Sequence, residues 1–113
     1  MCDSEKAKEL LKNIYESCTR ISGLNIRDAY LYGSYARGDY SACSDVDILL
    51  TSDLPQEEIE RYRRRVAEIS SALSLKNDVT VSVTVKPLEL FNRFSDSLPY
   101  YRNVLREGIR YAV

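Results

Sequence analysis

The sequence predicts an α/β fold: one domain over residues 1–113, with a small mixed sheet backed by helices on one face. Three observations point there. Two apolar stretches, 29–32 and 45–51, are short and bounded by Gly, Asn, Asp and Ser, as strands are. A third, 78–85, alternates strictly, with Val79, Val81, Val83 and Val85 on one side and Asp78, Thr80, Ser82 and Thr84 on the other, the pattern of a strand buried on one side only. Around these stretches, apolar residues recur at three- and four-residue steps, which is the spacing of helices that bury one face.

In chain order, Asp3 or Ser4 caps a first helix whose buried face is Ala7, Leu10, Leu11, Ile14, Tyr15, Cys18 and Ile21; Gly23 with Asn25 ends it. The strand 29–32 runs into a Gly33-Ser34 turn, residues 35–37 make one helical turn closed by Gly38, and 39–44 form a polar loop leading to the strand 45–51. A helix opens near Pro55, with Ile59, Tyr62, Val66, Ile69 and Leu73 on one face. Its other face carries Arg61, Arg63, Arg64, Arg65 and Glu68, a solvated surface with acidic partners rather than an RNA-binding patch. Pro87 ends the alternating strand. Leu88, Leu90, Phe91 and Phe94 mark a short helix, and a last helix spans 99–107 with Gly108 as its cap, before a tail of residues 109–113. The aromatic surplus of this end, Tyr100, Tyr101 and Tyr111 with Val104, Leu105 and Ile109, fits either an interface or a cap over the sheet edge.

Composition excludes several chemistries. The chain has no histidine, which removes Ser-His triads, His-ligated zinc and His general bases. Its net charge of −1 gives no field to attract nucleic acid. Cys2, Cys18 and Cys43 have neither the even count of a disulfide framework nor CxxC spacing, as expected of a reducing cytoplasm. The N-terminus runs straight into charged residues and no apolar run reaches membrane length, so a cytoplasmic protein without a membrane segment is expected.

The chemistry is concentrated in one stretch. A Gly33-Ser34 turn leaving a strand offers backbone N–H groups and a hydroxyl to a phosphate. Asp45 and Asp47, two apart on a strand, point to one face while Val46, Ile48 and Leu50 point to the other. Two adjacent carboxylates suit Mg²⁺, which takes one or two protein carboxylates and completes its shell with waters and substrate phosphates.

Gly-Ser, ten residues, then Asp-x-Asp resembles the signature of the polymerase-beta-type nucleotidyltransferases. The fuller run GSYARGDYSACSDVDILL is similar to their smallest members, the minimal nucleotidyltransferases. The resemblance implies a polymerase-beta-like core with the carboxylates on its open sheet face. It implies two Mg²⁺ ions at Asp45 and Asp47, ATP as substrate, and Gly33 and Ser34 on the β- and γ-phosphates. Arg37 either adds a cation to that site or pairs with Asp39 or a loop carbonyl. Relatives place a third metal carboxylate on the next core strand, where the only acid of the 78–85 stretch is Asp78; in many relatives the acid falls further into the strand, where this chain has Thr80 or Ser82, and if Asp78 is a turn residue paired with Asn77 the metal A site is weakened.

Enzymes of this reaction class usually add a helical domain that grips the acceptor, so the chain reads as a catalytic core acting on a macromolecular acceptor. Minimal nucleotidyltransferases typically pair with a HEPN-domain ribonuclease toxin and act as its antitoxin, some by adenylylating a tyrosine on it. HEPN toxins carry Arg-x4-6-His, and a chain without histidine would be the antitoxin partner. The expected function is Mg²⁺-dependent transfer of AMP from ATP to a tyrosine of that partner. The alternative is a weak or inactive module that neutralises the partner by contact alone.

Overall fold

The computed structural model describes residues 2–111. Asp3 caps α1 (Ser4–Thr19): its carboxylate accepts the Lys6 N–H at 2.8 Å, a cap of the kind worth about 0.5–2 kcal/mol. Ala7, Leu10, Leu11, Ile14 and Cys18 form the buried face, whereas Ile21 is buried from the turn beyond the helix. The strand β1 (Ile26–Tyr32) starts three residues before the apolar stretch. It can, because its charged beginning is satisfied at the surface: Arg27 meets Asp53 at 2.9 Å and Asp28 pairs with Arg110.

The chain then passes through α2 (Ser34–Arg37) into β2 (Val46–Ser52), which pairs antiparallel with β1. The helix expected after Pro55 is broken into α3 (Gln56–Ile59), a 3-10 turn (Glu60–Tyr62) and α4 (Arg63–Asn77). β3 (Val81–Pro87) returns parallel to β2, α5 (Leu88–Phe94) and α6 (Pro99–Glu107) follow, and β4 (Ile109–Arg110) closes the other side of β1. The sheet order is β3-β2-β1-β4, mixed as expected. Residues 112 and 113 of the expected tail lie outside the described residues.

One strand boundary is corrected. The alternating pattern placed Asp78 at the start of the third strand, but β3 begins at Val81 and Asp78 caps α4 in the left-handed conformation (φ 50°, ψ 47°). The cause lies in the serines of α4. The Ser74 carbonyl accepts the Val79 N–H at 3.3 Å, the Ser74 hydroxyl accepts the Val81 N–H at 2.9 Å, and the Ser70 hydroxyl donates to the Val81 carbonyl at 2.6 Å. These bonds hold residues 78–80 as a connector until Val81 enters the sheet.

The valine side of β3 packs as expected. Val81 with Val46, Ile48, Leu50, Ala29 and Leu31 faces Leu10, Leu11 and Ile14 of α1 and Val66 of α4 in the main core. The opposite face carries a second, smaller cluster of Tyr30, Leu49, Phe91, Tyr101 and Val104, supplied by β1, β2, α5 and α6. The C-terminal surplus is thus divided: Tyr101 and Val104 are buried on this second face and Tyr111 packs on Tyr15 at 4.8 Å, while Leu98, Tyr100 and Leu105 keep exposed surface. The result is a polar sheet face roofed at one end and open at the end where β2 begins.

Candidate active site

The open end is built by two registers. Asp47 on β2 stands opposite Tyr32 on β1 and Ser82 on β3, and in-register neighbours share a face, so Tyr32, Asp47 and Ser82 form one row. Behind it lies the row of Tyr30, Leu49 and Thr84, which α5 and α6 cover. The polar side of β3 therefore shares the face of Asp47, which the alternation alone leaves open.

Gly33 sets the edge of the site. Its backbone (φ 76°, ψ −156°) lies in a region open almost only to glycine, and a Cβ there would fall 2.6 Å from Asp47 Oδ2. The turn thus runs directly beside the carboxylate. From Gly33 the chain enters α2, whose carbonyl at Gly33 accepts the N–H groups of Ala36 and Arg37 at 3.1 Å each. The earlier N–H groups of the turn have no place in that pattern and are available to an anion. Tyr35 anchors α2 by burial and by stacking on Tyr40 at 4.4 Å.

The loop delivering Asp45 is closed by its own serines. The Ser44 hydroxyl accepts the Ser41 N–H at 2.9 Å, and the Ser41 carbonyl accepts the Ser44 N–H at 3.1 Å. Ser44, which the sequence pattern gives only as the residue before the acidic pair, is thereby the latch of that loop. Asp45 is exposed and Asp47 half-buried. Burial raises the Asp47 carboxyl above its ordinary value, the Asp45 charge raises it further, and the Arg37 guanidinium opposes them. A cation beside these two groups would relieve both effects, and their all-oxygen chemistry fits one Mg²⁺.

Arg37 takes the pairing that the sequence left open: its Nε meets Asp39 Oδ2 at 3.2 Å and its Nη1 meets Glu107 Oε2 at 3.5 Å, tying α2 to the end of α6. Asp78 is not brought into a three-acid cluster with the pair. It is exposed at the α4 cap, outside the row of Asp47, and among the described residues no group of three His, Cys, Asp or Glu side chains could hold a metal ion. Asp78 does line a shallow depression with Cys43, Asp45 and Thr80 at the rim of the site.

The sequence reading missed Tyr32 and Tyr100. The Tyr100 hydroxyl, at the start of α6, donates to the Tyr32 hydroxyl at 3.0 Å, with the rings edge to face at 5.6 Å. This pair joins α6 to the end of β1 beside Asp47. The parity of Tyr30 and Tyr32 was legible; their pairing with β2 and the arrival of α6 were not. A groove of about 500 Å³ lies along β3 and α4, lined by Ile59, Tyr62, Val66, Val83 and Val85, and it includes neither Gly33 nor Asp47.

Residues 11–111 match the nucleotidyltransferase domain family. The chain is 39% identical over 83 residues to "Putative protein adenylyltransferase MJ0604" of Methanocaldococcus jannaschii, spanning 74% of this chain and 75% of that protein. It is 31% identical over 94 residues to "Putative protein adenylyltransferase MJ0141" of the same organism, spanning 82% and 92%. Among solved structures it is similar in fold to a "putative minimal nucleotidyltransferase" (TM-score 0.60, 22% identity, 96% of this chain and 95% of that one). It is also similar to a chain of a toxin-antitoxin crystallised with AMP-PNP (TM-score 0.59, 21% identity, 90% and 73%). With the family match running over nearly all of the chain, the chain belongs to the nucleotidyltransferase domain family and is a nucleotidyltransferase with the minimal core fold.

Proposed function

We propose that this nucleotidyltransferase moves AMP from ATP to a tyrosine hydroxyl of a partner protein, and that the partner is a HEPN-domain toxin for which this chain is the antitoxin. The observation that carries the nucleotide part is the apposition of the Gly33 backbone and the Asp47 carboxylate, which sets a phosphate-binding turn against a metal-binding acid. The protein-acceptor part is supported by the names of the two M. jannaschii relatives, and the partner part by the fold shared with the toxin-antitoxin chain.

In this reading Gly33 and Ser34 hold the β- and γ-phosphates through N–H groups and the Ser34 hydroxyl. Asp45 and Asp47 hold Mg²⁺, which when bound supplies positive charge to the triphosphate. Tyr32, in register with Asp47, and Tyr100, bonded to it, border the cleft on the β1 side. The acceptor tyrosine hydroxyl gives up its proton to solvent as its oxygen attacks the α-phosphorus, the bond from that phosphorus to the bridging oxygen of the β-phosphate breaks, and pyrophosphate leaves with that bond's electron pair. Arg37, whose charge is felt at Asp47, adds to the positive field at the phosphates.

One observation favours the contact-only alternative: the residue facing Asp47 on β3 is Ser82, where a third acid would stand. The two readings part in one experiment. The purified chain is incubated with Mg²⁺, ATP and a HEPN-domain protein encoded beside it, and both are weighed intact. Addition of AMP to a tyrosine of the partner is expected. A tight complex without added mass, under conditions where ATP binds, overturns transfer in favour of contact alone.

A further inference from the structure

We infer that this chain holds one divalent cation, the one that accompanies the nucleotide, and that the place where a second would be bound is occupied by Ser82. The inference rests on the nucleotide site proposed above and concerns what that site lacks. Two cations about 3.5–4 Å apart repel strongly and are held together by anionic ligands that reach both. Asp47 is the carboxylate of the row and Asp45 stands one residue before β2; a further carboxylate beside Asp47 would come from the neighbouring strand on the same face.

The register identifies that position. Ser82 stands directly opposite Asp47 on the parallel strand β3, shares its face and is exposed. The next residue of that face, Thr84, stands opposite Leu49 in the covered row, and its hydroxyl faces Tyr100. The preceding one, Thr80, lies in the connector, where its carbonyl accepts the Val46 N–H at 2.8 Å. Asp78 is two residues further back, in the α4 cap. A neutral hydroxyl thus stands at the one open position beside Asp47, and among the described residues no third acid reaches the pair.

The test counts ions. The full chain is saturated with a non-hydrolysable ATP analogue and titrated with Mn²⁺, and bound Mn²⁺ is measured from the electron paramagnetic resonance signal of the free ion. The wild-type protein is expected to bind one Mn²⁺ per chain with the nucleotide, and Ser82→Asp to bind two. Ser82→Ala and Asp78→Asn should both keep the single ion with affinity within about threefold of wild type. Two ions on the wild-type chain overturn the inference while leaving the nucleotide site standing, as does a tenfold loss of the first ion in Ser82→Ala or Asp78→Asn. A folded Ser82→Asp protein that still binds one ion shows that residue 82 is not the vacant position. If the analogue and Mn²⁺ do not bind at all, the nucleotide reading itself falls and this inference falls with it.

Discussion

A β-carbon on Gly33 would stand 2.6 Å from Asp47 Oδ2, closer than non-bonded atoms tolerate. The glycine is fixed twice, by that approach and by its positive φ of 76°. Gly33→Ala is expected to cost roughly 1–3 kcal/mol of stability from backbone strain and to displace the carboxylate. Urea denaturation and calorimetry with MgATP check the two effects; unchanged nucleotide affinity would show that the turn does not serve the phosphates.

Asp47 carries a conflict between folding and function. Its carboxyl is raised by burial and by Asp45, so the folded state binds the proton more tightly than the unfolded chain does. The stability this contributes is present in acid and is lost as pH rises through the folded-state value, so at neutral pH the charged group opposes folding. Asp47→Asn should therefore raise the melting temperature of the metal-free protein at neutral pH, have little effect in acid, and remove metal-dependent nucleotide binding. A lower melting temperature at neutral pH would show that the carboxylate is instead a net stabilising group.

Ser34 lies at the start of α2 with no histidine in the chain to activate it. In the proposed reading its part is to donate to phosphate. Ser34→Ala is expected to weaken nucleotide binding or turnover by roughly 1.5–3 kcal/mol, about ten- to a hundredfold. A nucleotide found covalently on Ser34 by mass spectrometry would assign it a different role.

Arg37 and Glu107 give a comparison between structure and charge. Both side chains are substantially exposed, so breaking their contact should leave stability almost unchanged. If Arg37 serves the phosphates, Arg37→Ala lowers nucleotide affinity roughly tenfold, the worth of one charged contact, while Glu107→Gln leaves it unchanged. Equal effects of the two variants in calorimetry would reduce Arg37 to its tie with α6.

Ser52 tests the far end of β2. It is fully buried, its hydroxyl donating to the Leu24 carbonyl at 2.6 Å and accepting the Leu54 N–H at 3.0 Å. Ser52→Ala leaves both partners unsatisfied, and a loss of roughly 1–3 kcal/mol is expected with nucleotide affinity intact. Denaturation curves for the two proteins, with a parallel binding titration, decide it.

The sequence by itself determined the elements whose signal is local. The cap at Asp3, the glycine turn at Gly33, the shared parity of Asp45 and Asp47 and the valine face of β3 each follow from spacing or backbone chemistry within a few residues. Tertiary structure decided what depends on pairing. Which residue faces Asp47 is set by the register of β2 with β1 and β3, so the choice of Ser82 over Thr80, and the place of Tyr32, came only once the strands were aligned. Asp78 was misplaced because its alternation with Thr80 and Ser82 continues through a connector; hydrogen bonds from Ser70 and Ser74, seven or more residues from Val81, end the helix and delay the strand. The second cluster escaped for a similar reason. Tyr30, Phe91 and Tyr101 are far apart in the chain, and nothing local to any of them announces that α5 and α6 fold over the face that also carries Asp47.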